Sequence, residues 1–141
     1  CVKRGNRVYA PPEKTNIEDH IDVIIYNKKD ERHTADIKAE KRVSRGSRKQ
    51  SSWTWVEFAN VNGKAGWLYG KADYVIFELD KGWLFVKLEK LKDLSEQLVD
   101  MNTVVKTPQA AKYKIYQREG RKDKISLIEI DEIKRIGNYA E

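Results

Sequence analysis

Ile21-Asp22-Val23-Ile24-Ile25-Tyr26 and, after Asn27 to Arg32, His33-Thr34-Ala35-Asp36-Ile37-Lys38-Ala39-Glu40 are the two runs on which the reading of this chain turns. The first is an apolar β-branched run, which suits a pleated, half-buried surface, and the second offers Asp-x-Lys beside it. The polar segment between them, Asn27-Lys28-Lys29-Asp30-Glu31-Arg32, suits a hairpin loop, so the runs are expected to be antiparallel neighbours. Side chains alternate faces along a strand. Asp36, Lys38 and Glu40 therefore share one face, with Ala35, Ile37 and Ala39 expected to point into the packing on the other. Asp22 and Asp36 can then meet across the pair.

Two carboxylates with an amine beside them form a set that can bind a hard divalent cation and activate water for attack on a phosphodiester. The residues that follow fit such a substrate. Lys41, Arg42, Arg45, Arg48 and Lys49 fall in one stretch, and Arg42 to Ser52 also holds Gly46 and four serines, so a mobile basic loop beside the acids is expected. Lysine and arginine neutralise backbone phosphates and release condensed counterions. The plainer reading of that loop is a solvated segment whose charge maintains solubility.

Composition bounds the rest. The 141 residues are one domain's worth of chain, and 40% hydrophobic residues with four Trp and seven Tyr argue against disorder. No apolar run approaches the roughly 20 residues of a membrane-spanning helix. One cysteine, at position 1, forms no internal disulfide, and with two histidines it supports no zinc site. The first residues lack the apolar segment of a secretory signal, so a cytoplasmic, reducing setting is expected. The net charge is +6.

Along the chain, Pro11 to Asn16 reads as the entry to a short helical turn, with Thr15 or Asn16 as its cap. Trp53 to Phe58 alternates as a strand, and Asn60 to Gly66 carries an Asn-Gly turn. Tyr74 to Leu79 and Trp83 to Leu88 form a hairpin about Asp80-Lys81-Gly82. Leu88, Leu91, Leu94 and Leu98 lie at helical spacing, so Glu89 to Val99 is expected to be an amphipathic helix over one sheet face. Thr103 to Lys112 reads as an irregular connection, Tyr113 to Gln117 and Lys124 to Ile130 as another hairpin, and Asp131 to Ile136 as a short helix. No fixed-period repeat is present, and neither a Walker phosphate loop nor a Gly-x-Ser-x-Gly elbow occurs.

Acid on one strand, short hairpin, then (Asp/Glu)-x-Lys on the next strand is the signature of the PD-(D/E)xK nuclease superfamily, which the chain resembles over roughly residues 18 to 90 through Asp22 and Asp36-Ile37-Lys38. The stretch from Trp55-Val56-Glu57-Phe58 through Gly66-Trp67-Leu68-Tyr69-Gly70-Lys71-Ala72-Asp73-Tyr74 is similar to small phage and viral proteins of that superfamily. The resemblance implies an α+β fold, with a restriction endonuclease-like central mixed sheet flanked by a few helices. It implies a single nuclease-like domain over 1–141, with its core at about 13–100 and the hairpin and short helix of 103–141 as an extension.

It also implies a metal-dependent endonuclease acting on DNA, encoded by a phage or virus and dimeric where both strands are cut. Asp22 and Asp36 would hold Mg²⁺ or Mn²⁺ with the carbonyl of Ile37, and Lys38 would assist the attacking water. Lys41, Arg42, Arg45, Arg48 and Lys49 would grip the backbone. Members draw a further acid from a helix before the first strand. Glu13, Glu18 and Asp19 precede it here, and Glu40 could stand in; the proline expected before the first acid is absent.

Other residues invite lesser roles. His20 and His33 flank the two strands and could touch a phosphate, although a surface place is commoner for such residues. Glu57 and Lys71 could face the same cleft, Asp73 could be a buried acid, and the four tryptophans read first as core. Two rival readings remain. The chain is either the same fold with an incomplete site that binds nucleic acid or a partner protein without cutting, or a β-rich interaction protein whose Asp22 and Asp36 are surface residues.

Overall fold

The computed structural model describes residues 7–13, 19–44 and 46–141. The helical turn expected near Thr15 and Asn16, together with Glu18 and Arg45, lies outside the described residues.

Strands dominate: β1 (Arg7–Tyr9), β2 (Val23–Tyr26), β3 (Arg32–Lys38), β4 (Lys41–Arg42), β5 (Lys49–Gln50), β6 (Trp53–Ala59), β7 (Tyr74–Glu78), β8 (Trp83–Lys87), β9 (Asp100–Val105), β10 (Lys114–Tyr116), β11 (Lys124–Glu129) and β12 (Asn138–Ala140). Two α-helices among the described residues accompany them, α1 (Leu88–Leu98) and the five-residue α2 (Ile130–Lys134). No described helix is long and apolar enough to cross a membrane.

The strands form a six-stranded sheet in the order β1-β2-β3-β7-β8-β12, a four-stranded sheet in the order β6-β11-β10-β9, and the β4-β5 ribbon. The expected single central mixed sheet flanked by a few helices is thus overturned: this is a sheet-dominated small domain with several sheets and, among the described residues, one substantial helix. The reason lies in β6. Its alternation buries Thr54, Val56 and Phe58, and its whole length pairs with β11, from Trp53↔Glu129 to Ala59↔Lys124. The strand therefore builds a second sheet.

Apolar side chains from the two sheets meet in one core. The first sheet contributes Val75, Phe77, Leu84 and Val86, the second Val56, Phe58, Ile115 and Ile128, and Leu88, Leu91, Ile130 and Ile133 close it from the helices. Cross-strand partners agree with this arrangement, since Val75 lies opposite Val86 and Phe77 opposite Leu84. Residues 103–141 are woven into both sheets, β11 pairing with β6 and β12 with β8.

Two segments expected to be irregular are extended. Residues 100–105 form β9, parallel to β10, because Thr103-Val104-Val105 is a β-branched run whose pattern outweighs Pro108 further on. The basic stretch after β3 is partly a ribbon, with Lys41 opposite Gln50 and Arg42 opposite Lys49.

The hairpin of β2 and β3 forms as expected, Val23 facing Ala35 and Tyr26 facing Arg32, and Ala35 is buried as expected, but Asp36 and Ile37 have exchanged surroundings. Asp36 is 3% exposed and lies opposite the core residue Val75 on the parallel neighbour β7, whereas Ile37 is 38% exposed on the outer face. The second sheet covers the face that carries the acid.

One glycine ties the second sheet to this site. A Cβ on Gly66 would stand 2.3 Å from the carbonyl oxygen of Glu57. That contact must open if any side chain is added, so Gly66→Ala is expected to cost about 2 kcal/mol, read as a lowered urea midpoint with an unchanged slope.

Candidate active site

Asp22 stands just ahead of β2, where its backbone N–H donates to the Ala35 carbonyl at 2.8 Å and continues the hairpin ladder. Its side chain turns across the hairpin, and Oδ2 accepts the N–H of Ile37 at 2.7 Å. One carboxylate is thereby fixed beside the residue that follows Asp36 on β3.

Asp36 meets that carboxylate from the inner face. Lys38 is two residues further along the same face, with Nζ 3.2 Å from Asp36 Oδ1. The ammonium also lies 4.6 Å from the centre of the Trp67 ring, a cation–π contact that holds it over the acids. Trp67 is seated by its neighbours: Gly66 presses its backbone against Glu57, and Glu57 Oε1 accepts the Trp67 N–H at 3.2 Å.

The electrostatics follow from burial. Desolvation pushes Asp36 up to about 7 from an ordinary carboxyl value; the charge of Lys38 pulls it back, and the hydrogen bond and charge of Asp22 add to the rise. Two carboxylates share a hydrogen bond only through a proton on one of them. The metal-free pair therefore keeps one proton until near neutral pH. Asp36 Oδ2 is buried and receives no N–H or hydroxyl donor, so the proton shared with Asp22, or a cation in its place, is what can satisfy the carboxylates.

The three residues expected to carry the chemistry, Asp22, Asp36 and Lys38, thus come together, and Asp22 binds the backbone of Ile37. No family model, curated protein or solved structure matches the chain. Its site is read from its own chemistry.

The other candidates lie elsewhere. Glu40 is bound by Ser51, whose hydroxyl donates to its Oε2 at 2.5 Å and accepts the Asp80 N–H. His33 lies one face away, ring-to-edge with Tyr74 at 5.8 Å. Asp73 accepts the N–H and hydroxyl of Thr34, and Lys71 pairs with Asp19 at 3.6 Å. Lys41, Arg42, Arg48 and Lys49 sit on or beside the β4-β5 ribbon. Among the described residues no group of three or more His, Cys, Asp or Glu gathers as a ligand set.

Trp67 is the participant that sequence reasoning missed. It is core, as expected, at 7% exposed, but its ring also seats Lys38, and the signal for that was the glycine-flanked stretch Gly66-Trp67-Leu68-Tyr69-Gly70, which folds as a 3-10 turn against β6. Trp83, also read as core, is 42% exposed.

Proposed function

We propose that the chain hydrolyses DNA phosphodiester bonds with Mg²⁺ or Mn²⁺ bound by Asp22 and Asp36. The observation that carries this reading is the pair of Asp22 with buried Asp36, the Lys38 ammonium standing 3.2 Å from an Asp36 oxygen. The residues fit a cation: Asp36 offers a buried oxygen that no N–H or hydroxyl satisfies, and carboxylate oxygens are the donors hard divalent ions prefer. With the carbonyl of Ile37 as an expected further ligand, a bound ion would acidify water and polarise the phosphoryl group.

Asp22 orients the site by holding the Ile37 N–H, so the β3 backbone beside Asp36 keeps one position. Lys38, braced on Trp67, is available to neutralise charge growing on the phosphate and to orient the attacking water. The motif Asp22…Asp36-Ile37-Lys38 adds its resemblance to the PD-(D/E)xK nucleases as support for the chemistry.

A second reading, a site that binds nucleic acid without cutting, is favoured by one observation: no third described acid joins the pair. A cleavage assay separates the two. Labelled linear, branched and single-stranded DNA is incubated with the protein in Mg²⁺, Mn²⁺ or EDTA, beside Asp22→Asn. Cutting that needs the metal and falls by about a hundredfold or more in Asp22→Asn is the expected result. Binding that survives EDTA with no cleavage of any substrate would overturn hydrolysis in favour of the binding module.

A further inference from the structure

The outer face of the second sheet carries a cleft that the acid pair does not use. It encloses about 500 Å³, within the range of small-molecule sites, and is lined chiefly by Arg42, Ser44, Trp55, Pro108, Tyr116 and Arg118. Two guanidinium groups and two aromatic rings dominate it, and no carboxylate lines it. That combination suits a planar ring carrying an anionic group.

The cleft is already organised. The Trp55 and Tyr116 rings stand 5.8 Å apart and 37° from parallel. Trp55 Nε1 donates to the Arg42 carbonyl at 3.0 Å, which ties the ribbon to the aromatic floor. Arg118 is held by Asp123, itself 3% exposed, at 2.5 Å, and its buried Nε has no partner. Across the ribbon Arg42 lies directly opposite Lys49, a like-charge pairing that costs stability unless an anion offsets it.

We propose that this cleft binds a nucleotide, the base lying against Trp55 and Tyr116 and the phosphate meeting Arg42 and Arg118. Base–aromatic stacking tolerates any base, and planar guanidinium forks match phosphate oxygens. The same strand carries another aromatic ring two residues earlier, Trp53, with Lys112 Nζ 4.8 Å from its ring centre, so successive bases of an extended single strand have a place on one face. The cleft opens on the side of the second sheet away from the acid pair, and the binding itself does not depend on hydrolysis.

The test is fluorescence anisotropy in EDTA with a labelled 12-nucleotide single strand, an abasic strand with the same phosphates, and adenosine monophosphate as competitor. The expected result is binding of the ordinary strand, weakened about tenfold by Trp55→Ala and severalfold by Arg42→Gln. The abasic strand should bind less tightly than the ordinary one. Displacement by millimolar adenosine monophosphate would identify a free nucleotide as the ligand, and no displacement a strand; both support the site. Equal binding of the abasic strand, no binding of any probe, or unchanged affinity in both variants would overturn it. Arg42→Gln, on the exposed ribbon, decides the matter if Trp55→Ala does not fold.

Discussion

Asp36→Asn is expected to raise the melting temperature of the metal-free protein by roughly 10 °C at pH 8 and to leave it nearly unchanged at pH 4. The sign comes from linkage. Asp36 titrates near 7 when folded and near 3.8 when unfolded, so between those values the folded state holds a proton that the unfolded state has released. Stability therefore falls as pH rises through that window and is level above it. The difference, about three pH units, corresponds to about 4 kcal/mol carried by one side chain at pH 8. Asparagine keeps the shape, can donate to Asp22, and carries no such charge. A saturating concentration of Mn²⁺ should narrow the gap, because only the wild-type pair gains from binding the ion. Thermal melts of both proteins at pH 4, 6 and 8, with and without Mn²⁺, check this. A variant less stable than wild type at pH 8 would mean that Asp36 is a structural ion-pair partner. The same variant should lose cleavage, so a gain in stability with a loss of activity marks a residue kept for chemistry at a cost to the fold.

The local elements of this chain were legible because their periodicities are strong. The β2-β3 hairpin, the alternation of Trp53 to Phe58, the β7-β8 hairpin and the leucine spacing of α1 all stand close to where the sequence puts them. Their assembly was not legible. Whether Trp53 to Ala59 joins the first sheet or begins a second is decided by β11, some seventy residues later, and alternation within one strand carries no information about that partner. The same blindness exchanged the surroundings of Asp36 and Ile37. Alternation puts Asp36 and Ile37 on opposite faces correctly, but which of the two becomes buried depends on the sheet packed above, while Ala35 is buried as expected. β12 went unseen because Asn138-Tyr139-Ala140 is too short to show a period, and it is a strand because its backbone completes the edge of β8. That Asp22, Asp36 and Lys38 lie together was readable from the hairpin and the alternation of β3. Trp67 was not, since its role comes from the turn that Gly66 allows beside Glu57.

Lys38→Ala should cut the rate of DNA cleavage by about 10²- to 10⁴-fold while Mn²⁺ binding at pH 8.5 is retained. The ammonium repels a cation at Asp22 and Asp36, so its removal cannot weaken the ion's binding by charge; what it removes is a positive group 3.2 Å from Asp36 and braced on Trp67. Its effect on stability has its own signature. Lys38 lowers the pKa of Asp36, so without it the buried carboxylate is costlier still, and the metal-free variant should melt below wild type at pH 8 but close to it at pH 5, where Asp36 is protonated in both. The double variant Asp36→Asn/Lys38→Ala should recover the loss at pH 8, because the charge that needed Lys38 is gone; additive effects would mean that the two residues act separately. Lys38→Arg then separates two ways in which the group can act. Arginine keeps the positive charge but does not give up a proton near neutral pH. Substantial recovery of cleavage in Lys38→Arg assigns Lys38 to charge stabilisation, and its failure, with Mn²⁺ affinity and melting temperature at wild-type values, assigns it to proton transfer with the attacking water.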